Sequence, residues 1–172
     1  MTNSDSLAFL LDRQAILDCV NRYCIGIDRH DTDLIVSAFH ADAVDEHGPY
    51  VGGPVGLAKW ANDYHSANFS SHTHCITTHH CEIDGDVAHA QTYCLYTLRR
   101  TDDTTVMMGC ARYVDRLEKR GGVWKIAYRR TLIEWRAEAT GNMPAGYQQG
   151  KRDKSDIAYE RDVPNGSQNR RA

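Results

Sequence analysis

An α+β fold, a curved antiparallel β-sheet with N-terminal helices closing over a pocket, is predicted by three observations. Apolar residues recur at helical spacing through the first third of the chain, β-rich segments take over from Ser70, and three short turn clusters divide that second part into four long strands. Helices first and strands afterwards is an α+β order, in which the helices cover one sheet face. At 172 residues, 41% hydrophobic and 25% charged, the chain suits one domain with a core large enough to enclose a cavity.

The first helix is carried by Ile16, Val20, Tyr23 and Ile27, spaced four, three and four residues apart. Asp5 or Ser6 can cap a first turn before Leu7, Asp12 offers a second start, and the helix should run to about Ile27. Asp28 follows, at the negative end of the helix dipole, which disfavours a carboxylate unless a cationic or hydrogen-bonding partner arrives from elsewhere. Taken alone it reads as a solvated aspartate. Asp31 or Thr32 can cap a short second helix carrying Leu34, Ile35, Ala38 and Phe39. Ala43 to His47 looks extended, and the turn-rich stretch from His47 to Gly53 closes a hairpin. Pro54 suits the first position of a third helix through Leu57, Ala58, Trp60, Ala61 and Tyr64.

The long strands are expected at about Ser71 to Ile83, Val87 to Arg99, Thr105 to Glu118 and Val123 to Glu138, separated by hairpin-turn compositions at 84–86, 101–103 and 120–122. Because long strands twist and curl, sheet and helices can form a cone with an apolar mouth. The domain is placed at residues 1–139, with 140–172 a polar C-terminal arm, loose or docked on a neighbouring subunit.

A formal net charge of -3 gives no general attraction for nucleic acid or anionic membranes. No apolar run approaches the ~18 residues of a membrane span, and the first residues lack a basic-then-apolar signal pattern, so a cytoplasmic protein is expected. The six cysteines include no CxxC pair and read as mostly reduced core residues, Cys24 among them.

In the segment from Ser70 to His80, strand alternation puts His72, His74, Ile76, Thr78 and His80 on one face, and Thr73, Cys75, Thr77 and His79 on the other. A histidine on a half-apolar strand face is ordinarily a hydrogen-bonded core residue. With a buried carboxylate aimed at it, the tautomer is fixed and the ring becomes a competent base near neutral pH.

RYCIGID at Arg22 to Asp28, HTHCITTH at His72 to His79, the Gly85-Asp86 turn, and RYVDRLEKRGGVWKIAYRRTLIEW at Arg112 to Trp135 resemble the SnoaL-like branch of the NTF2-like superfamily. That branch holds scytalone dehydratase, hexachlorocyclohexane dehydrochlorinase and bile acid dehydratase relatives, and the likeness spans about Leu7 to Arg136. It implies an NTF2-like cone with a deep pocket, and homo-oligomers, trimers or dimers. It implies an Asp28-His74 dyad, with the histidine as base and the aspartate orienting it, a substrate hydrogen bond from Tyr23, and stabilisation of developing negative charge by Arg129. Arg130 is adjacent, and alternation sends the two arginines to opposite faces. Ile76, Trp60 and Tyr64 are expected in the substrate pocket. The implied chemistry needs no cofactor or metal: proton removal next to an electron-withdrawing group, ending in elimination or isomerisation of a hydrophobic, ring-containing small molecule.

Two alternatives stay open. His72, His74 and His80 share a predicted face to which Asp45, His47 and His65 could come near, inviting a metal, although no HExxH or paired CxxC supports one. NTF2-like chains also serve as non-catalytic ligand-binding modules and as small subunits of ring-hydroxylating dioxygenases, and a buried Asp-His pair can simply satisfy two polar groups.

Overall fold

The computed structural model describes residues 3–142 and 144–160. Helix α1, Asn3–Asp28, is one continuous helix: residues 5 and 6 lie inside it, and Asp12 starts nothing. The Asp12 carboxylate instead accepts hydrogen bonds from Lys119 Nζ at 2.8 Å and Trp124 Nε1 at 2.9 Å, pinning the helix to the sheet. Ile16, Cys19, Val20, Tyr23 and Ile27 form its buried stripe. The chain reverses at His30, which takes a left-handed φ of 51°, and Asp31 caps α2, Thr32–Ser37, by accepting from the Leu34 N–H at 3.2 Å.

Gly26 lets α1 and α2 meet. A Cβ there would lie 2.7 Å from Ile35 Cγ1 and 2.8 Å from Ile35 N, and the backbone atom cannot swing aside. Gly26→Ala is therefore expected to destabilise the protein by about 1–3 kcal/mol despite alanine's better helix propensity, read as a lower urea midpoint with unchanged slope.

Strands β1, Phe39–His47, and β2, Tyr50–Gly52, make the predicted hairpin, turning through Gly48 at φ 63°. Helix α3, Pro54–Asn68, starts with its proline in the first turn. Strands β3, Phe69–Asp84, β4, Val87–Arg100, β5, Thr105–Arg120, and β6, Val123–Thr140, are the four long segments. The sheet order is β2-β1-β6-β5-β4-β3.

The sheet is not wholly antiparallel, as the sequence led us to expect: β1 runs parallel to β6, with Asp45 opposite Arg129. A meander returns each strand beside its predecessor. Here the last strand comes back to the first only after a long crossover, which permits parallel pairing.

A second correction concerns β3. The pairing register with β4 shifts between Ile76 and His79, so the strand carries an extra residue and its alternation inverts. Before the shift His72, His74 and Ile76 turn inward; after it Cys81 is buried while Thr78 and His80 face out.

The start of the polar arm folds back on its own chain. Lys154 and Tyr159 both reach the Asp31 carboxylate, the latter at 2.8 Å, and Asp156 lies 3.8 Å from Arg29. Residues 161–172 of that arm lie outside the described residues. Among the described residues, no helix is long and apolar enough to cross a membrane.

Candidate active site

Asp28 ends α1 with its side chain pointed at β3. Its Oδ2 accepts the His74 backbone N–H at 2.9 Å, and its Oδ1 lies 2.7 Å from His74 Nδ1. Asp28 is only 4% exposed. Two donors from one residue answer the unfavourable dipole end: they replace the water a solvated aspartate would use. Since the carboxylate accepts from Nδ1–H, the neutral ring carries its lone pair on Nε2. Burial pulls the imidazolium of His74 down, but the Asp28 hydrogen bond and negative charge outweigh it, and the net shift is upward. The ring is thus a stronger base than an ordinary histidine.

His74 opens on a cavity of about 360 Å³. Its apolar wall comes from Ile27, Leu98, Met107, Ala111 and Ile133, and its aromatic wall from Tyr23, Trp60, Tyr64, Tyr96 and Tyr113. Four polar groups join His74 there: His47, His65, Thr131 and Arg136. The lining is mostly apolar with a few polar groups, as in small-molecule sites.

Of the residues singled out from the sequence, Tyr23, Trp60, Tyr64 and His74 line the cavity, and Asp28 stands directly behind His74. Ile76 does not line it; it packs against the main core cluster, two residues along β3 and just before the register shift.

Arg129 faces inward while Arg130 faces out to Glu46 at 2.7 Å, but Arg129 does not line the cavity. It is fully buried behind Tyr23 and Tyr113, whose ring centroids lie 4.4 and 4.2 Å from its guanidinium carbon. Its Nε and Nη2 donate to Asp115 at 2.7 and 2.8 Å. A charge neutralised by a carboxylate and screened by two rings supports the wall rather than meeting substrate directly. Arg129→Met should leave Asp115 buried without its partner, and a loss of about 3–5 kcal/mol is expected in chemical denaturation.

Arg136 was missed for a physical reason. Counting by two along β6 from Ile133 points Trp135 inward, but the register with β5 shifts between Ala111–Ile133 and Cys110–Trp135, which brings Arg136 to the cavity instead. Asp45 is also buried, its two oxygens without a hydrogen-bond partner among the described residues and one of them 3.5 Å from His47 Nδ1. From the sequence it had figured only as a possible metal ligand.

The family model described as a SnoaL-like domain matches residues 8–130. Among solved structures, a hexachlorocyclohexane dehydrochlorinase superposes with a TM-score of 0.75 at 23% identity, covering 83% of this chain and 99% of that one. A candidate scytalone dehydratase from Novosphingobium aromaticivorans gives 0.69 at 17% identity, covering 84% and 99%. A protein of unknown function from Mycobacterium tuberculosis gives 0.66 at 29% identity, covering 78% and 77%. No curated protein matches the sequence. At these identities the structural likenesses speak for the fold.

Proposed function

The chain belongs to the SnoaL-like domain family, and from that premise we propose that it is an acid-base lyase or isomerase acting on a hydrophobic, ring-containing small molecule. The observation that carries this reading is the 2.7 Å bond between a buried aspartate and a histidine whose ring borders an apolar, aromatic-walled cavity.

His74 Nε2 removes a proton from a carbon next to a carbonyl or similar group, and the carbanion character passes to that oxygen. Asp28 holds the ring in the required tautomer and stabilises the imidazolium as it forms. Tyr23, which lines the cavity, donates in this reading to the oxygen that gains charge, its hydroxyl kept protonated because burial raises its pKa well above the ordinary value. If a hydroxyl or halide on the neighbouring carbon leaves, the product is an alkene; if the proton returns elsewhere, the double bond moves. Neither outcome needs a redox step.

The test is incubation of the protein in deuterated water with a panel of cyclic ketones and β-hydroxy ketones, followed by mass spectrometry. Deuterium entering the α-carbon, with loss of water from hydroxylated members, is the expected result. Ligands that bind tightly and exchange no faster than in buffer would replace this reading with a ligand-binding module.

A further inference from the structure

Beside the dyad, and unused by it, three histidines from three elements converge: His30 at the α1–α2 corner, His65 on α3 and His72 on β3. One ring nitrogen of each lies within 4.8 Å of the others. His30 Nε2, His65 Nδ1 and His72 Nδ1 are all buried, and none has a hydrogen-bond partner among the described residues. His72, only 3% exposed, shows most clearly what this means. Its Nε2–H donates to the Ile27 carbonyl at 2.8 Å, which fixes the tautomer and leaves Nδ1 as a bare lone pair.

We propose that His30, His65 and His72 form a binding site for one divalent transition-metal ion of the zinc type.

The rings have the separations that such a site needs. Two nitrogens each ~2.0 Å from one ion at a tetrahedral angle are ~3.3 Å apart. Closing from within 4.8 Å takes at most about 1.5 Å, within reach of the soft χ2 torsion of histidine. The centroids lie 4.3 Å apart for His65–His72, 5.2 Å for His30–His72 and 6.4 Å for His30–His65, with the two His30 pairs nearly parallel. His30 must therefore turn most.

Supporting contacts are in place for that turn. The His30 Nδ1 lies 3.4 Å from Ser66 Oγ, and its carbonyl is 3.5 Å from Asn62 Nδ2, both on α3. A ligating imidazole typically holds its other nitrogen on such a partner.

Electrostatic contributions of both signs act on the three rings. Burial is the main cause keeping all three rings neutral, with His65 pulled down to about 2 and His72 to about 4, so no proton competes with a metal near neutral pH. The Asp28 carboxylate acts favourably on His30 and His72, while Arg152, whose Nη1 donates to the His65 carbonyl at 3.4 Å, acts against a cation. Three imidazoles leave a fourth position for water. This site differs from the sequence-derived trio, in which His80 now faces the other way and His74 is committed to Asp28.

Untagged protein, stripped with chelator, would be titrated with Co²⁺ and with Zn²⁺, following the visible cobalt absorption and calorimetry. One equivalent of tightly held ion with a tetrahedral cobalt spectrum, and a rise in Tm with excess Zn²⁺, are expected. His65→Ala and His72→Ala should each weaken binding on the order of 100-fold or more. His74→Gln and His80→Ala should leave the stoichiometry unchanged, the former separating this site from the acid-base reading. Wild-type protein giving neither a cobalt spectrum nor a Zn²⁺-dependent Tm would overturn the proposal whether or not the variants fold. So would binding that survives both substitutions.

Discussion

Replacing His74 with glutamine is expected to lower proton abstraction roughly 100- to 10,000-fold, the range a positioned general base supplies. Glutamine can still meet the Asp28 carboxylate with an amide N–H, so the cavity should keep its shape and hydrophobic ligands should bind with little change. The effect belongs in kcat rather than in ligand affinity, because a base contributes mainly in the transition state. The measurement is the rate of deuterium exchange or elimination under saturating ligand, beside a denaturation curve. Exchange at the wild-type rate in the folded variant would remove His74 from the mechanism and leave the Asp28 contact as a structural bond.

Asp28→Asn is expected to cost a comparable amount, roughly 100- to 10,000-fold, for a different reason. An asparagine amide can donate to Nδ1, which turns the ring into the wrong tautomer and places the proton on the nitrogen that should accept one. It also removes the negative charge, so the desolvation that now opposes the upward shift of His74 is countered only by Cys94 and the imidazolium pKa falls.

The signs of the pH dependence follow. In the wild type the base form is the neutral ring, so activity should rise with pH through a pKa lying above the ordinary histidine value. A group whose pKa is raised by folding stabilises the fold fully below its unfolded pKa, and that contribution is lost as pH rises through the folded one. Activity and this part of the stability therefore change in opposite directions over the same window. In Asp28→Asn the rise in activity should move to lower pH, and with the folded pKa pulled down by burial this part of the stability should instead increase with pH, both visible beside an NMR titration of the His74 ring. A variant whose imidazole titrates as in the wild type would show that another group holds the proton.

Much of this was legible in the chain because it depends on neighbours in sequence. The stripe from Ile16 to Ile27, the proline opening α3 and the Asp- and Gly-rich turns express local geometry, and four long strands appear where those turns predict them. Asp28 and His74 could be singled out because the residues flanking them resemble a family motif. The strand faces were less secure. A period of two holds only until an extra residue enters, and the register shifts near Ile76 and Ile133 moved His80 outward and Arg136 to the cavity.

By itself, then, the sequence determined the elements and their order, since helical and strand periodicity and turn chemistry act over a few residues, while Asp28 and His74 were pointed to by resemblance to a family motif. Only the tertiary structure decided that β1 lies parallel to β6, that Arg129 is held by Asp115 behind the cavity wall, and that His30, His65 and His72 meet. Those outcomes join distant segments of the chain. They depend on how sheet twist, bulges and helix crossings add up in space, which local periodicity does not carry.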